Sequence, residues 1–186
     1  MSKKIIIQVV IFTALFSLNA TEGIEENEKP PFSLSPSAVY LIEEAYLDSI
    51  NILKNELEIT PNNELMLSEL GELQVKSKLM EDAFLTYSRL IRVNPRNYDA
   101  CLFLGYSYYV KGKNLLQYED EKYKQIEKPQ KIQHAIHQNK IREILGREYK
   151  LALQYLSIST SIIPVTFVQD IVKEVQHRIL NPNLSP

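Results

Sequence analysis

Four of the five glycines in this chain of 186 residues fall on one sequence period. Gly71 and Gly105 are 34 residues apart, and Gly112 and Gly146 are separated by the same interval. Prolines keep nearly the same spacing, at intervals of 34, 34 and 35 residues: Pro61, Pro95, Pro129 and Pro164. A fixed period of this length is typical of repeated supersecondary units that bury their apolar faces against one another. The spacing therefore predicts a repeat protein.

The stretch from Glu64 to Asn97 has the residue pattern of a helix–turn–helix unit. With Glu64 as position 1, large apolar residues stand at positions 4 and 7, glycine at 8, alanine at 20, tyrosine at 24 and proline at 32: Leu67, Leu70, Gly71, Ala83, Tyr87 and Pro95. This pattern resembles the tetratricopeptide repeat, in which small residues let two helices cross closely and the proline ends the second helix. Gln74 departs from the pattern, because the family favours an aromatic residue there.

The resemblance continues less completely along the chain. A second unit begins at Tyr98 and supplies Cys101, Leu104, Gly105, Tyr108 and Pro129. Within it, Gln117 and Glu121 stand where small and aromatic residues are favoured. A third unit begins near Ile132, and its second helix matches if one residue is inserted after Gly146, which gives Ala152, Leu156 and Pro164. Gly112 and Gly146 are predicted to lie in turns between helices.

The resemblance implies an all-α fold, a right-handed helix–turn–helix solenoid of about three units at 64–97, 98–131 and 132–165. Apolar stripes at helical spacing predict a helix before it, at 36–59, and a capping helix after it, at about 166–180. The helical domain would span 36–181, and residues 182–186 form a tail. An extended or inserted helical hairpin is the alternative for 114–146, where the matches are weak.

Residues 1–20 have the layout of a secretory signal peptide. Lys3 and Lys4 precede an apolar run of 14 residues at 5–18, and Ala20 is a small residue suited to cleavage. The run is shorter than the roughly 20 residues of a membrane-spanning helix, but an inner-membrane anchor at 5–18 is the alternative. Residues 21–35 are acidic and carry two prolines, which predicts a flexible linker. We therefore expect an exported protein, in the periplasm rather than secreted.

Composition and motifs argue against an enzyme and against a nucleic-acid-binding protein. The formal net charge is -2, with no basic excess, and the sequence has no phosphate-binding glycine loop, no nucleophile elbow and no paired cysteines. Cys101 occupies a core position and is predicted to be a small buried hydrophobe. His134 and His137 are spaced i, i+3, but a zinc site needs more ligands. We expect no cofactor, metal or small-molecule substrate; a metal-dependent protein using the two histidines is the less favoured alternative.

The resemblance also implies a concave groove, lined by positions 2, 5, 9 and 12 of each first helix. These positions give Glu72 and Val75 in the first unit and Leu102, Tyr106 and Tyr109 in the second as predicted groove residues. Phe103, which is next to Leu102, is predicted to line the groove with them. Tyrosine is favoured at binding surfaces because it joins a large apolar area to a polar tip. Some family members grip the C-terminal carboxylate of chaperones with basic and amide residues, but Ser68 and Glu72 stand at those positions here.

These residues predict a non-enzymatic interaction module, an adaptor or scaffold that holds a peptide or helix of another protein. A chaperone for exported substrates is an alternative within the same superfamily. A different structural interpretation also stays open, in which the N-terminal helix or the segment 114–146 folds over the tyrosines and buries them.

Overall fold

The computed structural model describes residues 36–182, with side chains from Glu44 onwards, and this part of the chain is helical without strands. Its elements are α1 (Pro36–Ile59), α2 (Glu64–Lys76), α3 (Met80–Val93), α4 (Tyr98–Lys124), α5 (Lys131–Ile144), a π-helical turn (Leu145–Tyr149), α6 (Lys150–Ile162) and α7 (Thr166–Leu180). The all-α prediction is confirmed. The predicted signal peptide, the linker and the last four residues of the tail lie outside the described residues.

None of the described helices combines the length and the hydropathy that a membrane crossing requires. The packing described below is that of the compact unit formed from Tyr40 onwards.

Two asparagines 34 residues apart in the sequence start α2 and α4. Asn63 Oδ1 accepts a hydrogen bond from the backbone N–H of Met66 at 3.2 Å, and Asn97 Oδ1 accepts one from Ala100 at 3.0 Å. Such an N-cap satisfies an amide that has no partner within the helix, and it stabilises the helix by about 1 kcal/mol. Each asparagine follows a repeat proline by two residues, so the same short motif separates one helix from the next in both places.

Gly71 and Gly105 lie where paired helices cross, as predicted. A Cβ atom on Gly71 would lie 2.7 Å from Tyr87 Cζ on α3, and one on Gly105 would lie 2.7 Å from Leu156 Cγ on α6. Carbon atoms in contact stay about 3.5–4.0 Å apart, so each crossing depends on the missing side chain. Gly105 thus faces Leu156 across α4 and α6 as Gly71 faces Tyr87 across α2 and α3.

The predicted division of 98–165 into two separate units is wrong. α4 runs without interruption through Gly112, and the chain is continuously helical from Lys131 to Ile162, through Gly146. Neither glycine therefore lies in a loop between two helices. Residues 98–162 form one long hairpin, the extended alternative for 114–146. Gly112 serves a helix contact within it, because a Cβ there would lie 2.6 Å from Tyr149 Cδ2.

The π-helical turn explains the one-residue mismatch in the repeat pattern. Because a π-helix closes its hydrogen bonds over five residues instead of four, a single π turn accommodates one extra residue within an α-helix. The pattern required its insertion after Gly146, and Gly146 lies inside the turn Leu145–Tyr149. Beyond the turn, α6 returns to the phase that buries Ala152 and Leu156 completely.

Two clusters of buried side chains meet along α4. The first cluster comprises Ile50, Leu53, Leu57, Leu67, Leu70, Ala83, Tyr87, Leu90, Ala100 and Leu104. The second cluster comprises Tyr109, Leu116, Ile141, Ile144, Leu145, Tyr149, Ala152, Leu156, Val168, Ile171 and Val175. α7 has the bounds expected for the capping helix, and it packs its apolar stripe against the second cluster. α4 is thus the shared wall of both clusters, and it carries most of the predicted groove residues.

Candidate functional site

The α2 side of the predicted groove is largely exposed. Glu72 lies in solvent and pairs with Lys76 one turn along, at 2.8 Å between Oε1 and Nζ. Val75 is half-buried against the first cluster. Leu65, which occupies the first groove position of α2, is 76% exposed. α2 therefore presents an accessible edge that mixes charged and apolar side chains.

Three predicted groove residues on α4 are half-buried. Leu102 and Tyr106 pack against the second cluster, and Phe103 packs against the first. The Phe103 ring lies 4.9 Å from the ring of Tyr87, measured between centroids. Burial raises the pKa of the Tyr106 hydroxyl above its ordinary value. Each of these side chains keeps part of its surface in solvent, and together we call Leu102, Phe103 and Tyr106 the α4 stripe.

Tyr109 belongs to the core, so its prediction as a groove residue is wrong. It is only 7% exposed, and its hydroxyl donates to the Glu174 carboxylate of α7 at 2.9 Å. Its ring also meets that of Tyr149 edge-on, with centroids 6.2 Å apart. Burial first, and then the hydrogen bond to Glu174, raise the pKa of Tyr109 well above its ordinary value. The hydrogen bond and the ring contact of this tyrosine are thus made to α7 and to the π-helical turn.

The two histidines lie on α5 near its turn to α4, and both contact Tyr123. His137 Nε2 is 3.2 Å from Asp120 Oδ1, and its ring stacks on Tyr123 with centroids 4.2 Å apart. His134 Nδ1 is 3.1 Å from the hydroxyl of the same tyrosine. Within the described residues, no three His, Cys, Asp or Glu side chains are placed to hold a metal ion. These contacts connect the two arms of the long hairpin.

Cys101 is fully buried, as the sequence predicted. Burial raises the pKa of its thiol to about 11, against a smaller lowering by Arg96. The sulfur lies 3.6 Å from the carbonyl oxygen of Pro95. A thiol with this pKa stays protonated at neutral pH, whereas a nucleophilic cysteine needs the thiolate. Cys101 therefore contributes to packing.

Sequence reasoning missed Glu148, a carboxylate on the π-helical turn that is only 2% exposed. Its Oε1 lies 3.1 Å from Lys111 Nζ and 3.2 Å from Arg147 Nε, while Oε2 is buried without a hydrogen-bond partner among the described residues. A buried charge is tolerated when opposite charges compensate for its lost hydration. The only signal in the sequence was the required insertion after Gly146, which marks the turn that carries Glu148 inward.

Comparisons with known proteins show a shared fold and no family. No family model matches the sequence, and no curated protein matches it. The chain is similar to a crystal structure from Bacteroides ovatus ATCC 8483 described as a "putative protein binding protein". The TM-score is 0.70 at 20% sequence identity, and the match covers 94% of this chain and 86% of that chain. This likeness extends over nearly the whole helical arrangement and is consistent with a helical repeat protein.

Proposed function

We propose that this chain is a non-enzymatic protein-interaction module of the tetratricopeptide type, which holds a peptide or helix of a partner protein against α2 and α4. The repeated helix crossings at Gly71 and Gly105 support the repeat assignment. The description of the structural neighbour as a protein binding protein supports the kind of partner. The observation that carries the proposal is the α4 stripe, because its half-buried apolar side chains keep part of their surface in solvent.

The α4 stripe is suited to binding because its rings are already held in place. Tyr106 packs against Tyr109 with ring centroids 6.1 Å apart, and Phe103 packs against Tyr87. A side chain that is ordered before binding loses little rotamer entropy when a partner arrives. Tyrosine adds to this, because it has only two side-chain torsions for a large contact area. Tyr106 is therefore the expected anchor of the site, in place of the pair Tyr106 and Tyr109.

Changing Tyr106→Ala is expected to weaken partner binding by about 2 kcal/mol, which is roughly a thirtyfold loss of affinity. Replacing a fully buried aromatic residue by alanine lowers the free energy of unfolding by about 3–5 kcal/mol. The loss at Tyr106 should be smaller, because this residue is only half-buried. The measurement combines capture of proteins from a periplasmic extract with thermal denaturation of the same samples.

Tyr118 provides the matched control, since it lies on the same helix and is 60% exposed. Tyr118→Ala should capture the same protein as the parent chain. Equal capture by the Tyr106→Ala variant and the parent would contradict a site on the α4 stripe.

We further propose that the protein acts after export, with cleavage following Ala20. The proposal is supported by the two lysines, the apolar run and the small residue at the N-terminus. N-terminal sequencing of the protein from the periplasmic fraction should begin at Thr21. An intact Met1 on protein recovered with membranes would favour the anchor at 5–18 instead.

A further inference from the structure

A cleft of about 470 Å³ opens at one end of the α2–α3 pair. It is lined by Asn62, from the loop before α2, and by Arg89, Arg92 and Val93, from the end of α3. None of these is a predicted groove residue. The volume falls in the range of clefts that hold small organic groups or side chains, about 300–1,000 Å³.

The segment that supplies three of the four residues lining the cleft carries only positive charge. Residues 83–98 contain three of the six arginines of the chain and no acidic residue: Arg89, Arg92 and Arg96. The chain as a whole has a formal net charge of -2, so the charge of this segment is opposite in sign to the net charge of the chain. Arg89 and Arg92 stand three residues apart on one helix, which places them on neighbouring positions of its surface.

Both arginines that line the cleft have donors to offer. Arg89 donates through Nη2 to the carbonyl oxygen of Pro61, which fixes the guanidinium beside the loop. A guanidinium carries five N–H donors in a fork that matches an oxyanion. In the described part of the chain, neither Arg89 nor Arg92 forms a salt bridge with a carboxylate. The carboxylate of Glu64 accepts from Asn94 and Asn97 instead.

One arginine in a last helical turn is ordinary, because it complements the negative end of the helix dipole. Two arginines beside an amide, around one cleft and outside the salt bridges of the described residues, can offer positive charge and N–H donors to an anionic ligand. We propose that this cleft binds the carboxylates of an acidic peptide segment of a protein partner. Arginine pairs with carboxylates through two parallel hydrogen bonds, and Val93 gives the cleft an apolar wall for the carbon atoms of the peptide. The inference depends on the proposed function only in taking the ligand to be part of a protein.

The probe is a tetraglutamate peptide, acetylated and amidated at its ends, titrated into the full chain while the arginine Nε–H signals are followed by NMR. The Arg89 and Arg92 signals should shift saturably, and Arg89→Gln or Arg92→Gln should weaken binding at least tenfold. Arg142→Gln is the control, since Arg142 is exposed, lies in the last turn of α5 and bonds only to Asn139 of its own helix among the contacts described. This control should bind like the parent chain.

Four outcomes would overturn the proposal. These are the absence of a saturable shift at millimolar peptide, an equal response to tetraglutamine, an equal loss in Arg142→Gln, and a stronger response of the same signals to inorganic phosphate. Circular dichroism checks the fold of each variant, and Arg92→Gln, at an exposed position, decides the question if Arg89→Gln does not fold. Tyr106→Ala should leave the binding of tetraglutamate to the cleft unchanged. Failure of the cleft proposal and failure of the α4 stripe are therefore separate results.

Discussion

Replacing Tyr109 by alanine is expected to lower the free energy of unfolding by about 3–5 kcal/mol, the usual cost of removing a large aromatic side chain from a core. The residue is 7% exposed and belongs to the second cluster. Its loss would leave a cavity between α4, the π-helical turn and α7, because its ring meets Tyr149 and its hydroxyl meets Glu174. Equilibrium urea unfolding, followed by far-UV circular dichroism, measures the change.

Tyr109→Phe separates the ring of Tyr109 from its hydroxyl. Glu174 is exposed, so water can replace the lost hydrogen bond, and we expect this variant to lose only about 1 kcal/mol. A Tyr109→Ala variant that no longer bound the partner protein but was as stable as the parent would contradict the burial of Tyr109. It would return this residue to the binding surface.

The second large effect is expected at Gly105. A Cβ there would lie 2.7 Å from Leu156 Cγ and 2.9 Å from the backbone nitrogen of the same residue. A backbone atom cannot rotate away as a side chain can, so α4 and α6 must separate to admit even one methyl group. We expect Gly105→Ala to cost about 3 kcal/mol, at the upper end of the usual range for overpacking. Chemical denaturation of the variant and the parent measures the difference.

Gly146→Ala is the matched control for this glycine substitution. Nothing lies within 4 Å of a Cβ built at Gly146, and alanine is favoured over glycine within a helix by up to about 1 kcal/mol. The control should therefore be as stable as the parent or slightly more stable. If Gly105→Ala and Gly146→Ala had the same free energy of unfolding, the close approach of α4 and α6 at Gly105 would be contradicted.

The first helical pair could be predicted from the sequence because its signals are local. Pro61 and Pro95 bound it, the small residues Gly71 and Ala83 mark its crossing, and α2 and α3 lie within the predicted unit 64–97. The helix at 36–59 was predictable for the same reason, since its apolar spacing is uninterrupted by glycine or proline. Each of these features reports on neighbours within the same helix or the same helical pair.

The long hairpin was harder to predict because its glycines serve distant contacts. Glycine marks turns and close helix approaches equally well, and sequence alone does not separate the two. Gly112 makes room for Tyr149, which lies on a different arm of the hairpin. The one extra residue relative to the repeat pattern falls within the π-helical turn, but the sequence indicated it only as an insertion.

Tyr109 shows why a groove position transferred from a family needs the tertiary structure. In a regular repeat, the twelfth residue of a first helix faces the groove. Here the hydroxyl of Tyr109 meets Glu174, which is 65 residues further along the chain. No periodicity reveals a pairing over that distance. Tyr106, one turn earlier, escapes this cover in part and stays half-buried.

Site-specific photocrosslinking in living cells tests most directly whether a partner protein occupies the α4 stripe. p-Benzoylphenylalanine would replace Tyr106 in one strain and Tyr118 in another, and the products would be compared after irradiation. We predict a discrete crosslink to one partner protein from position 106 and no such product from position 118. The same products from both positions, or a product from position 118 alone, would contradict a binding site on the α4 stripe.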